Sequence, residues 1–181
     1  MSDLGPLLIA SVGVVGTLLS PVVTTRLSAR LQRDQFDAQR ALALDTHRQD
    51  GLRAQHAEKR ACYVTLNAAS RRYRVVQMNY LYAVEDGRLD DEDRRELEES
   101  RRAHGAAVAE AQMTAAPKVL DELETISGAL SRSYRRIRRL ESGQPEPDGS
   151  FDEVRAELLA LWDEWKGLRD AMRLDLGVDR P

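Results

Sequence analysis

The stretch Cys62–Val84, CYVTLNAASRRYRVVQMNYLYAV, decides the fold. Cys62, Leu66, Ala69, Tyr73, Val76, Tyr80 and Ala83 recur at alternating steps of four and three. That spacing gathers side chains into one stripe of an α-helix, whereas a strand would need a step of two. A helix with a single apolar stripe must bury it against other helices. Its partners lie downstream, and what it carries lies upstream.

Downstream, VEDGRLDDEDRREL holds a turn at Gly87 and an acidic helix start, which suits the positive end of a helix dipole. Leu97, Arg101, His104, Val108, Ala111 and Ala115 then share a predicted stripe, and Pro117 marks the next boundary. A third helix carries Val119, Leu123, Ile126, Leu130, Tyr134 and Ile137 and stops before SGQPEPDGS, whose Gly and Pro predict a loop. Ser150 with Glu153 three residues on predicts a capping box. The fourth helix has Phe151, Val154, Leu158, Trp162, Trp165 and Met172 on its apolar face. Short connections between such helices predict an up-down antiparallel bundle over residues 61–175, with 176–181 as a tail.

Upstream the character changes. From Arg26 to Arg60 there is no proline and one glycine, Gly51, so the helix is predicted to run on, but its register reads Leu31, Gln35, Ala38, Leu42, Asp45, Gln49, Leu52 and His56. These positions are too polar for a coiled-coil seam, and residues 26–60 read as a juxtamembrane helical stalk. Before it, Leu4–Thr25 carries no charge over 22 residues, about 33 Å of helix against a hydrocarbon layer of about 30 Å. Asp3 precedes this span and Arg26, Arg30 and Arg33 follow it, the reverse of a signal peptide's flanks. A core helix apolar all round would need a shell of other helices to cover it. Residues 1–25 are therefore predicted to be a single transmembrane anchor in the inner (cytoplasmic) membrane, with the bundle in the cytoplasm by the positive-inside rule. Within it Gly16, Ser20 and Thr24 form a strip of small residues that favours close approach of two copies. The predicted fold class is thus all-α, with an N-terminal transmembrane helix continuing into a stalk and then an antiparallel bundle.

Composition agrees with helix: 31% of residues are charged and 5% aromatic, and Arg far outnumbers the three lysines, Lys59, Lys118 and Lys166. A net charge of −3 supplies no overall pull toward nucleic acid or anionic lipid. The one dense basic run, Arg132, Arg135, Arg136, Arg138 and Arg139, is a candidate acidic-partner patch. The up-down order places it opposite Glu85, Asp86, Asp90, Asp91, Glu92 and Asp93, which favours internal pairing over nucleic acid. No Gly-rich or aromatic RNA-binding motif accompanies it.

The chemical motifs are sparse. The single cysteine, Cys62, excludes an internal disulfide and reads as a buried thiol. His47, His56 and His104 lack the spacing of a metal site, there is no Glu-x-x-His pair, and no phosphate-binding glycine loop occurs. No catalytic residue, cofactor or metal is expected, and the chain reads as a non-enzyme. Trp162 and Trp165 sit among Leu158, Leu161 and Leu168, which favours core or partner contact over a membrane-interface belt.

The uncharged N-terminal span with its trailing arginines, the block KRACYVTLNAASRRYR and the block AAPKVLDELETISGAL resemble small membrane-anchored helical, coiled-coil proteins of high-GC actinobacteria. The resemblance implies a layout and no functional residue. The expected function is a membrane-anchored scaffold, adaptor or accessory subunit whose partners are the bilayer and another protein or a second copy. The alternatives are a signalling or defence component that transmits self-association, and a nucleic-acid tether through Arg132–Arg139.

Overall fold

The computed structural model describes the backbone of residues 5–178 and the side chains of residues 35–178 other than position 38. Among these residues the regular structure is helical throughout, with α1 (Gly5–Glu85), α2 (Asp91–Thr114), α3 (Pro117–Glu141) and α4 (Phe151–Asp175). Residues 1–53 and 54–181 form separate units.

In the first unit every described side chain is exposed, including Phe36, Leu42, Leu44 and Leu52. Its contacts are local: Gln49 Nε2 donates to Asp45 Oδ2 at 2.9 Å and Thr46 Oγ1 to the Leu42 carbonyl at 2.9 Å. The polar register explains this, since Gln35, Asp45 and Gln49 give a neighbouring helix nothing to bury. Among the described residues no helix is long and apolar enough to cross a membrane. The expected anchor at residues 4–25, with its strip of Gly16, Ser20 and Thr24, lies outside the described side chains, and the fold adds no support to it.

The second unit is a four-helix up-down bundle made by the distal part of α1 with α2, α3 and α4. Cross-helix bonds fix the directions. Thr114 Oγ1 donates to Cys62 Sγ at 3.3 Å and His104 meets Ser70, so α2 runs back along α1. Gln77 Nε2 reaches the Leu130 carbonyl at 3.1 Å and Tyr80 reaches Glu141, so α3 rises beside α1 again. Tyr63 Oη donates to Asp175 Oδ2 at 2.6 Å and Arg155 Nε to Tyr82 Oη at 2.9 Å, so α4 descends.

The stripe on α1 is the core's first wall: Cys62, Leu66, Tyr73, Val76, Tyr80 and Ala83 are buried and Ala69 packs against them. Leu123, Ile126, Leu130 and Ile137 of α3 and Val154, Leu158, Leu161, Trp165 and Leu168 of α4 complete it. Two expectations shift. On α2 the buried line is Leu97, Ser100, His104, Ala107 and Ala111, and Arg101 is exposed. On α4 Trp162, expected in the core, stands 47% exposed because Leu158, Leu161 and Trp165 fill the inward positions around it.

The helix ends follow local chemistry. Gly87, Gly143 and Gly177 have φ of 63°, 69° and 68° and close α1, α3 and α4. Each lies in a Schellman stop, such as Arg88 N to the Ala83 carbonyl at 3.0 Å beside Gly87 N to that of Val84 at 3.2 Å. Only glycine adopts this left-handed turn without a Cβ penalty. α2 instead stops at Thr114, with Ala115 and Ala116 extended ahead of Pro117, the first residue of α3. The capping box expected at Ser150 and Glu153 is present, and a second joins Asp90 to Asp93.

Candidate functional site

The arginine run is mostly neutralised from within, though not by the acidic turn that the sequence suggested. Arg136, with 19% of its side chain exposed, meets Glu157 at 3.3 Å, Glu146 at 3.6 Å and also Asp148. Arg132 reaches Glu157 at 3.3 Å, Arg139 reaches Glu146 at 3.3 Å and Arg138 reaches Glu141 at 2.5 Å. These acids come from the end of α3, the α3–α4 loop and α4. The acidic turn is occupied locally: Asp86 pairs with Arg88, Asp91 with Arg94 and Glu92 with Arg95. Of the five arginines only Arg135 lacks a salt bridge among the described residues.

At the same end of the bundle Glu141 ties three helices together. Tyr80 Oη donates to it at 2.8 Å, and Arg138 and Arg94 hold it from either side. Burial, then the bond to Glu141, pushes the Tyr80 hydroxyl up to about 12, so it remains a donor. Tyr134 donates to Glu98, which Arg101 also grips at 3.0 Å while its guanidinium lies 5.3 Å from the Tyr134 ring.

His104 is buried at 6% exposure, stacked on Tyr73 with centroids 5.4 Å apart. Ser70 Oγ donates to the Leu66 carbonyl at 2.7 Å, so at 3.0 Å it accepts from His104 Nδ1–H, which places the acceptor lone pair on Nε2. Burial holds the imidazole's pKa below its ordinary value. The fold thus accommodates the neutral ring, and the unfolded chain takes up the proton first as pH falls. The stability this contributes is fully present above the ordinary His value of about 6.5 and is lost as pH drops through it toward the depressed folded value. Melting temperature should therefore fall between pH of about 7.5 and about 5.5, above the carboxylate range, and His104→Gln should flatten that dependence. Equal slopes for both proteins in thermal scans would assign the effect elsewhere. Cys62 is enclosed at 1% exposure, and no group of three or more His, Cys, Asp or Glu among the described residues is placed to hold a metal ion.

The feature that stands apart is a cleft of about 280 Å3 between α1 and α4, lined by Asn67, Arg71, Trp162, Trp165, Lys166 and Arg169. Trp165 lies beneath, its Nε1 donating to Asn67 Oδ1 at 2.8 Å. Trp162 stands at the mouth with the guanidinium of Arg71 at 5.0 Å and that of Arg74 at 5.6 Å from its ring centroid. Arg74 also donates to the Leu158 carbonyl at 3.1 Å. Among the described residues neither Arg71 nor Arg74 has a carboxylate within salt-bridge reach. Burial, then the neighbouring Arg71 charge, lowers the Arg74 pKa. Lys166 and Arg169 pair along their own helix with Asp163 at 2.7 Å and Asp170 at 2.8 Å. The two tryptophans were legible in the sequence as a contact candidate. Arg71 and Arg74 were not, because their run, SRRYR, lies inside the stripe that reads as core. A wider cleft of about 480 Å3 between α2 and α3 is lined by Val108, Leu120, Leu123, Ser127 and Gly128 among others and presents no comparable charge.

No protein-family model, curated protein or solved structure matches this chain.

Proposed function

We propose that the protein is a single-pass membrane-anchored adaptor whose helical bundle works by holding another protein. The observation that carries this reading is the α1–α4 cleft, where an exposed Trp and two guanidiniums without carboxylates are set on rigid helices. Trp and Arg are the side chains that most often dominate binding at protein interfaces. The neutralised arginine run supports the same reading, because pairing with Glu141, Glu146, Asp148 and Glu157 leaves it a poor match for a polyanion. The tether is the uncharged span 4–25, and Arg26, Arg30 and Arg33 behind it orient the bundle toward the cytoplasm.

A reporter active only in the cytoplasm, fused to the C-terminus, tests the placement. The expected result is an active fusion that sediments with membranes and is released by detergent but not by high salt. An inactive full-length fusion, or release by salt alone, would overturn the anchored arrangement.

A further inference from the structure

We infer that the α1–α4 cleft at Trp162 binds an acidic linear segment of a partner protein, one with neighbouring carboxylates and an apolar side chain. The inference rests on the adaptor reading and names the chemistry of its partner. The polar groups facing the cleft are donors. Asn67 spends its carbonyl oxygen on Trp165, which leaves its amide N–H groups without a bond among the described residues. Arg71 and Arg74 have no acceptor to offer and no carboxylate to meet, and Lys166 and Arg169, whose charges are shared with Asp163 and Asp170, are likewise donors only. A site made of donors selects a ligand made of acceptors.

Arg71, over the Trp162 ring, makes no hydrogen bond among the described residues, and Arg74 spends Nη1 on the Leu158 carbonyl and keeps its other N–H groups. A free guanidinium edge matches a carboxylate in two parallel bonds. The extent of the site selects a peptide over a single small anion. Trp162 and Arg169 are seven residues apart on α4, about 10 Å along the helix, and Asn67 and Arg71 line the facing wall, with Arg74 beside them over the Trp162 ring. About three residues of extended chain cover that distance, whereas one phosphate does not. The cleft also lies mid-helix on both sides, where backbone N–H groups are already bonded and no helix N-terminus is free to cradle a phosphate. Exposed Leu159, one turn before Trp162, and Val75, one turn after Arg71, supply apolar surface for the segment's uncharged side chain.

The test uses the full chain in detergent micelles and a fluorescein-labelled peptide repeating Glu-Glu-Leu, read by anisotropy and by Trp emission. The peptide should bind and a Lys-Lys-Leu peptide should not. Arg71→Glu with Arg74→Glu should weaken binding about tenfold or more, and Trp162→Ala should weaken it and remove the emission change. Arg135→Glu, on exposed α3 surface without a salt bridge, should leave binding unchanged and so separates a local site from net charge. Circular dichroism should show native helix in each variant. Equal affinity in the Arg71/Arg74 and Arg135 variants would overturn the inference. So would displacement of the peptide by inorganic phosphate, by a single-stranded oligonucleotide or by anionic lipid vesicles at lower concentration than by unlabelled peptide. An active cytoplasmic fusion with no peptide binding overturns the cleft's ligand alone, whereas binding with an inactive fusion overturns the anchored placement alone.

Discussion

Leu66→Ala should destabilise the bundle by about 4 to 5 kcal/mol, and Leu123→Ala by about 2 to 3 kcal/mol, in denaturant unfolding of the second unit. Both leucines are buried, at 0% and 2% exposure, and both changes remove the same atoms. The difference lies in what surrounds the hole. Leu66 is enclosed by the core, so its removal leaves a void whose lining loses contacts that nothing replaces. Leu123 borders the cleft between α2 and α3, where water already reaches, so part of the vacated volume opens to solvent and the walls are free to relax. Equal losses would mean that the cleft is closed in solution, and a loss below about 1 kcal/mol at Leu66 would remove it from the core.

Arg136→Ala should have the next largest effect, about 2 to 3 kcal/mol. A fully exposed ion pair contributes about 0 to 1 kcal/mol, and stranding one member of a buried pair costs about 3 to 5 kcal/mol. Arg136 and Glu157 are each 19% exposed, between these limits, while Asp148 at 68% is screened and adds little. Arg132 and Arg139 remain to shield Glu157 and Glu146 in part. Arg139→Ala, at a side chain 57% exposed, should cost no more than about 1 kcal/mol. Because Arg136 holds both loop carboxylates, its loss should also speed protease cleavage between residues 142 and 149. Unchanged cleavage would show that the loop is held by its own turns.

The sequence disclosed the bundle through residues that act on their immediate neighbours. Gly87, Pro117, the loop before Ser150 and the Ser150–Glu153 box set helix ends within a few residues, and the α1 and α3 stripes are strong because large apolar side chains repeat there. On α2 the buried line is mostly small and polar, Ser100, His104, Ala107 and Ala111. Such residues contrast too weakly with their flanks to reveal which way the helix faces. Within LLALWDEW of α4 two apolar stripes are available, and only packing against the rest of the bundle selects Leu158, Leu161 and Trp165 over Trp162. The partners of the arginine run were hidden for another reason. The conspicuous acids beside Gly87 are consumed by arginines two or three residues away, whereas Glu157 lies far along the chain and meets Arg136 only once α3 and α4 have paired. The candidate site depended on the same step, since Arg71 and Arg74 acquire meaning only when α4 brings Trp162 beneath them.

The polar pairs within the core bear on how this chain tolerates changes of length. Helices that meet only through leucine and alanine can be shortened or extended by seven residues and still mesh, because each stripe looks the same one repeat away. Here Ser70 must face His104 and Gln77 must face the Leu130 carbonyl. Removing one repeat from α1 would conserve the apolar pattern but, because Ser70 and Gln77 are themselves seven residues apart, would set one of them in the other's place and leave the remaining partner, His104 or the Leu130 carbonyl, without the bond it makes now. Related chains should therefore vary in length at the connecting loops, and any that lose or gain a repeat within one helix should do so in all four together or exchange these polar residues at the same time.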